Sequence, residues 1–181
     1  MKRSAAAIIG LALAAMTFVG TPASAATPYC AIRWGSLAKS AGGMSAAPLV
    51  NVRAGRHACY DRVVLDVAGP VSGYSVRYVA RVLDQGKGDV IPVRGGARLE
   101  VVALVPTDDL TTGAATYDPA NPSELVNVTG YRTLRQVASA GSFEGYTSIG
   151  VGVRARLPFR VLVLSGPGSG SRLVIYVAHR W

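Results

Sequence analysis

Apolar and polar positions alternate along most of this chain with a period of two. Val63, Leu65 and Val67 alternate with Arg62 and Asp66, and Tyr74, Val76, Tyr78, Ala80 and Val82 alternate with Ser75, Arg77 and Arg81. The same period recurs in Leu99, Val101, Ala103 and Val105, in Phe159, Val161 and Val163, and in Leu173, Ile175 and Val177 set against Arg172, Val174 and Tyr176. Successive side chains of a strand point to opposite faces, so this period predicts strands with one buried face. Helical spacing is sustained nowhere. Gly69-Pro70, the run Asp84 to Asp89, Gly95-Gly96, Gly141 and the run Gly166 to Gly170 punctuate the pattern at turn positions. The expectation is an all-β fold, an antiparallel sandwich of two sheets with about eight strands. Within it, Arg53 to Asp66 reads as one ordered β-segment whose polar tip carries Arg53, Arg56, His57, Tyr60 and Arg62.

Two regions depart from the alternation. Residues 26–48 form an N-terminal arm, marked by Gly42-Gly43 and Pro48, ahead of a domain spanning 49–181. Residues 106–130, with Pro106, Asp108, Asp109, Asp118, Pro119, Asn121 and Pro122, make a polar excursion longer than the loops usual in a compact domain. Such loops are often binding segments, and an acidic one facing a basic protein is a candidate contact region or mere decoration.

The first 25 residues set the address. Met1-Lys2-Arg3, an apolar run from Ala5 to Val19 and the small-x-small triplet Ala23-Ser24-Ala25 read as a signal peptide cleaved after Ala25. The run is shorter than the roughly 20 residues of a membrane span and ends in Gly20, Thr21 and Pro22, so no membrane span is expected. Cys30 lies beyond the cleavage point, and the sequence closes on His179-Arg180-Trp181 without an apolar tail, so no lipid or covalent anchor is expected. The product is expected outside the cell, secreted and held, if at all, by binding. Export places Cys30 and Cys59 where disulfides persist, and we expect them to be bonded. Closing a loop of about 30 residues would stabilise the fold by roughly 3 to 4 kcal/mol on the chain-entropy model.

Cleavage would leave 156 of the 181 residues and a formal charge of +7, from fifteen Arg and two Lys against ten acidic side chains. Arg presents a planar fork that matches carboxylate and phosphate, which for an exported protein points to wall polymers or acidic glycans rather than nucleic acid. Solubility alone is the competing explanation. Catalytic signals are absent: two histidines, His57 and His179, stand without a nucleophile elbow, and both cysteines are committed to the bridge. His57 with Asp61 is read as a structural pair at a strand entrance. No zinc ligand set or phosphate-cradling glycine motif is present, the Asp84 to Asp89 run reads as a hairpin turn, and no metal or cofactor is expected.

Val52-Arg-Ala-Gly-Arg-His57, Tyr60-Asp-Arg-Val-Val-Leu-Asp66 and Gly73-Tyr-Ser-Val-Arg-Tyr-Val79, followed by Phe143-Glu-Gly145, Ile149 to Arg154, Pro158 to Val161 and Val174 to His179, resemble the AMIN-like domain of secreted actinobacterial proteins. The resemblance covers roughly residue 30 to the C-terminus. It implies a β-sandwich related to the targeting module of cell-wall amidases, associated with peptidoglycan and without hydrolysis of its own; a free-standing module without an amidase domain is expected. The resulting expectation is a non-catalytic envelope-binding module recognising peptidoglycan or an attached anionic wall polymer. The alternative is a protein-interaction domain, an envelope inhibitor or assembly factor, that uses the 106–130 loop. Arg53, Arg56, Arg62, Arg77, Arg81 and Tyr60 are the ligand-binding candidates, by fork pairing and by stacking on sugar rings. Tyr74 and Tyr78 share the parity of Val76 and are expected to be buried.

Overall fold

The computed structural model describes residues 29–181; the expected leader, residues 1–25, lies outside the described residues. The described chain forms β1 (Lys39–Ala41), β2 (Leu49–Arg56), β3 (Tyr60–Val67), β4 (Tyr74–Val79), β5 (Val82–Leu83), β6 (Val90–Ile91), β7 (Ala97–Ala103), β8 (Leu134–Phe143), β9 (Tyr146–Val153), β10 (Phe159–Ser165) and β11 (Ser171–Ala178). A five-stranded antiparallel sheet, ordered β1-β4-β7-β9-β8, packs on a four-stranded one, ordered β10-β11-β3-β2, and β5 pairs with β6 alone. The expected sandwich is therefore present, with three short additional strands among the eleven.

Parity decides what is buried. Val63, Leu65 and Val67 of β3, Leu173, Ile175 and Val177 of β11, and Phe159 of β10 meet Val76, Leu99, Val101, Ile149 and Val151 of the other sheet in one apolar core. Each such side chain contributes about 1.5 to 3 kcal/mol when fully withdrawn from water. Tyr74 and Tyr78 pack against this core, as their parity predicted. The Tyr78 hydroxyl donates to the Leu157 carbonyl at 2.8 Å and accepts from the Leu157 amide at 2.9 Å, closing one corner of the sandwich.

The structure corrects two details of the strand reading. The Arg53 to Asp66 segment is a hairpin rather than one continuous strand: β2 ends at Arg56, β3 begins at Tyr60, and the His57 amide donates to the Tyr60 carbonyl at 3.0 Å across the turn. The alternation through Ala80 and Val82 does not continue β4. The chain leaves the sheet after Val79, and Val82 buries itself with Val93, Ala138 and Ala140 in a separate cluster on the outer side of the five-stranded sheet. A period of two cannot tell a core from a satellite cluster, because both demand the same parity.

That satellite cluster explains the glycines of β9. A Cβ on Gly152 would lie 1.8 Å from the Arg94 carbonyl oxygen, and one on Gly150 would lie 2.8 Å from the Val93 side chain. Bare backbone lets the 80–95 excursion lie flat on the sheet. The Asp84 to Asp89 run is the expected hairpin turn, with the Asp84 amide donating to the Asp89 carbonyl at 2.7 Å.

The 106–130 excursion is strapped down. Tyr117, Leu125 and Val126 pack against the main core, the Thr116 hydroxyl donates to the Leu49 carbonyl at 2.8 Å, and the Leu125 amide donates to the Val137 carbonyl at 2.8 Å. Its backbone groups bond to β2 on one side and β8 on the other.

Candidate functional site

Each sheet of a sandwich has an outer face, and here the two differ. The five-stranded sheet is covered by its own chain, residues 82–93 lying over β8 and β9. Arg77 and Arg81 belong to this side. Arg77 faces Glu100 directly across β4 and β7 and pairs with it at 2.7 Å, while Arg81 lines a groove with Val90, Pro92 and Arg98. Neither meets the other sequence candidates.

The outward residues of the four-stranded sheet form transverse rows fixed by the pairing register. Gly55, Arg62, Tyr176 and Arg160 make one row across β2, β3, β11 and β10. The next row is Arg53, Val64, Val174 and Leu162, and the one after is Asn51, Asp66, Arg172 and Leu164. Alternate residues of a strand are about 7 Å apart, so the Arg62–Arg160 row and the Arg172 row are separated by about 14 Å.

Two features shape the first row. Gly55 stands opposite Arg62, and a Cβ there would come within 2.9 Å of Arg62 Nε, so the missing side chain gives the guanidinium its berth. The N-terminal arm crosses beside the row, tethered by the Cys30–Cys59 disulfide and by the Phe159 amide donating to the Gly35 carbonyl at 2.9 Å. The expected bridge is present, and it brings Trp34 onto the sheet. The Trp34 ring centroid lies 5.7 Å from that of Tyr60 and 6.1 Å from that of Tyr176, and Tyr60 meets Tyr176 edge-on at 5.0 Å. The Arg160 guanidinium sits 4.6 Å from the Trp34 ring and 4.7 Å from the Tyr176 ring. A cation held over aromatic faces gains roughly 0.5 to 2 kcal/mol and loses little of its charge.

The electrostatics of this face are lopsided. Arg53 is neutralised by Asp66 in a two-pronged pair, Nε to Oδ2 at 2.7 Å and Nη2 to Oδ1 at 2.9 Å. Arg62 and Arg160 have no such carboxylate. Of the five buried side-chain atoms without a hydrogen-bond partner among the described residues, four belong to this face or its rim: His57 Nε2, Arg62 Nε, Arg160 Nε and Arg172 Nε. A buried donor left unmet costs about 1 to 3 kcal/mol. His57 stacks on Tyr60 at a centroid distance of 4.6 Å. Burial, then the charge of Arg62, hold its imidazole below the ordinary histidine range, with Asp61 pulling weakly the other way.

Sequence reasoning placed Arg53, Arg62 and Tyr60 on this face and missed Trp34, Arg160, Arg172 and Tyr176. Arg172 and Tyr176 were legible as outward positions of β11, but their meeting with Arg62 and Arg160 depends on strand order. Arg56 lies at the end of β2, its guanidinium 5.7 Å from the Tyr131 ring, away from the rows.

The pairing expected between His57 and Asp61 is corrected. Asp61 is buried and its Oδ1 takes the His179 ring at Nε2, 3.1 Å away, while its Oδ2 accepts from the amides of Thr133 at 2.6 Å and Leu134 at 3.1 Å. The other ring nitrogen of His179 faces the Ala58 carbonyl at 3.2 Å. This pair ties β3, β11 and the start of β8 together. The Thr133 hydroxyl beside it donates to the Ala178 carbonyl at 3.2 Å, so the pair activates no nucleophile there. Among the described residues no cluster of three or more His, Cys, Asp or Glu could hold a metal ion, and no helix is long and apolar enough to cross a membrane.

Comparison with curated proteins and with solved structures yields no match. The family model of the AMIN-like domain matches residues 47–179, a span that begins just before β2 and ends at the histidine of the buried pair. With most of its length inside that match, the chain belongs to the AMIN-like domain family.

Proposed function

We propose that this protein is an exported, non-catalytic module that binds an anionic polymer of the cell wall, peptidoglycan or a polymer attached to it, through the outer face of its four-stranded sheet. Membership of the AMIN-like family supports a cell-wall-associated binding module in general, and the disulfide fits an extracellular location. The observation that carries the reading is the row Arg62–Tyr176–Arg160, capped by Trp34 and Tyr60, in which neither arginine pairs with a carboxylate among the described residues. Tyr176 is almost wholly covered and serves to orient Arg160; Trp34 and Tyr60 keep part of their rings exposed and can stack on a sugar face. Arginine forks beside them suit the carboxylates of wall peptides or the phosphates of attached polymers. A polymer lying along β3 would meet cations about 14 Å apart, at Arg62 and again at Arg172.

Co-sedimentation of the full chain with purified wall sacculi, with and without their attached anionic polymers and across a salt series, tests this reading. Binding is expected at low salt and should weaken as the Debye length shrinks from about 30 Å at 0.01 M to about 8 Å at 0.15 M. Absence of binding at low salt contradicts it, and binding lost on stripping the polymers assigns the ligand to them.

A further inference from the structure

We propose that the chain forms a two-fold dimer in which β10 pairs antiparallel with β10 of a second copy, joining the two four-stranded sheets into one sheet of eight. The contact needs no ligand, so it does not rest on the polymer reading.

The edges of the two sheets are not alike. β1 is only three residues long. β8 is strapped by the 106–130 excursion, the Leu125 amide donating to the Val137 carbonyl at 2.8 Å and the Ser139 amide to the Pro122 carbonyl at 2.7 Å. β2 is interrupted between Leu49 and Asn51, and Leu49 is bonded from outside the sheet by Pro106 and Thr116. Short strands, bulges and covering loops are the usual guards of an edge. β10 keeps an unbroken register with β11 over its seven residues and carries none of these along its middle.

One bond fixes the direction of its backbone groups. The Phe159 amide donates to the Gly35 carbonyl of the arm, so Phe159 points away from β11. In an antiparallel strand the amide and carbonyl of a residue point to one side and the side alternates, so Val161, Val163 and Ser165 also face the edge. The Ser165 carbonyl accepts from Arg172 Nη2 at 3.0 Å. Among the described residues nothing bonds to the outward groups of Val161 and Val163. The apolar side chains here are open as well: Leu162 is 37 % and Val163 43 % exposed, against 8 % for Val161. A regular apolar strand with free backbone groups is a template for another strand.

This edge is complementary to itself. With the two-fold axis at Leu162, Val161 of each copy faces Val163 of the other, and their free amides and carbonyls satisfy one another in about four hydrogen bonds. Leu162 then meets Leu162 of the second copy in the narrow kind of pair, Cα atoms about 4.5 Å apart, where side chains approach most closely. Arg160 faces Leu164 rather than a second arginine. The two Arg160 residues stand about 14 Å apart along the strands, beyond the Debye length of about 10 Å at 0.1 M salt. Ser165 of the second copy comes opposite Phe159, so the added strand ends where the arm takes over the edge.

Sedimentation equilibrium of the full chain over a range of concentrations, at about 0.01 M and 0.15 M salt, tests the dimer. Expected is a mass that climbs toward that of two copies, with tighter association at the higher salt because the formal charge of +9 on each copy is then screened. Leu162→Lys sets two cations opposite each other at the axis and should weaken the dimer about tenfold or more. Val163→Pro removes an edge donor from each copy and leaves the β10–β11 bonds in place, since Val163 points away from β11, and should weaken it likewise. Val50→Lys, the same kind of change at an exposed position of β2, should not. Urea denaturation checks that each variant is folded. A chain that stays monomeric at every concentration, including one that takes a strand from another protein instead, would overturn the proposal. So would equal association in Leu162→Lys and the parent chain, or an equal loss in Val50→Lys. Leu162 is already partly exposed, so its variant decides the matter even if Val163→Pro folds poorly.

Discussion

At the scale of single residues, the buried Asp61–His179 pair is where the fold is most vulnerable. Its side chains are 1 % and 5 % exposed, and Asp61 alone meets two backbone amides and an imidazole. Removing a buried acceptor costs about 1 to 3 kcal/mol for each donor left unmet, a large share of the 5 to 15 kcal/mol that holds a domain together. Asp61→Asn should therefore lower the unfolding free energy obtained from urea denaturation by an amount in that range, and a loss below about 1 kcal/mol would contradict the assignment. Tyr78 makes a different prediction. Burial pushes its phenol above the ordinary value of 10.0, offset in part by its bond to Leu157 and by Arg156. A group whose proton is held more tightly in the folded state gives stability that is complete below the unfolded pKa and is lost as pH climbs above it. Stability measured by urea denaturation should fall from pH 10 upward, and the fall should be shallower in Tyr78→Phe. Equal slopes in the two chains would show that Tyr78 does not contribute.

At the scale of elements, the site depends on an arm as much as on a sheet. Cys30–Cys59 and the Gly35 carbonyl hold Trp34 against Tyr60 and Tyr176. Opening the bridge in the paired variant Cys30→Ser, Cys59→Ser should cost roughly 3 to 4 kcal/mol on the chain-entropy model and release Trp34. Denaturant midpoints together with tryptophan emission check both parts; an unchanged emission spectrum would mean that other contacts position the arm. The arm also shows where sequence reading stops. The period of two identified the core strands β3, β4, β7, β10 and β11, because burial on one face writes itself into every second residue. The β8–β9 hairpin went unnamed, since Gly150 and Gly152 replace its outward side chains and bulges after Leu134 and Ser139 interrupt the count. Arg62 lies about a hundred positions before Arg160 and Tyr176 in sequence and becomes their neighbour through strand pairing alone. No local pattern carries that adjacency, and none carries the choice of His179 over His57 as the partner of Asp61.

At the scale of the whole molecule, the two outer faces have different fates. One is covered by the 80–95 excursion and has its exposed Arg77 balanced by Glu100. The other keeps Arg62 and Arg160, which pair with no carboxylate among the described residues. The 106–130 segment, which the alternative reading makes a contact loop, packs Tyr117, Leu125 and Val126 against the core, so shortening it would expose apolar surface. The asymmetry of the faces, more than the net charge, is what makes the polymer-binding reading specific, because a merely soluble basic protein would lose little affinity when two cations are removed from one place. The decisive measurement is co-sedimentation with wall sacculi at low salt for the parent chain, for the paired variant Arg62→Gln, Arg160→Gln, and for the charge-matched pair Arg77→Gln, Arg81→Gln. The first pair should lose about tenfold or more in affinity, as expected when charged hydrogen bonds are removed, while the second pair binds like the parent; equal losses in both pairs would rule out the sheet face as the binding surface.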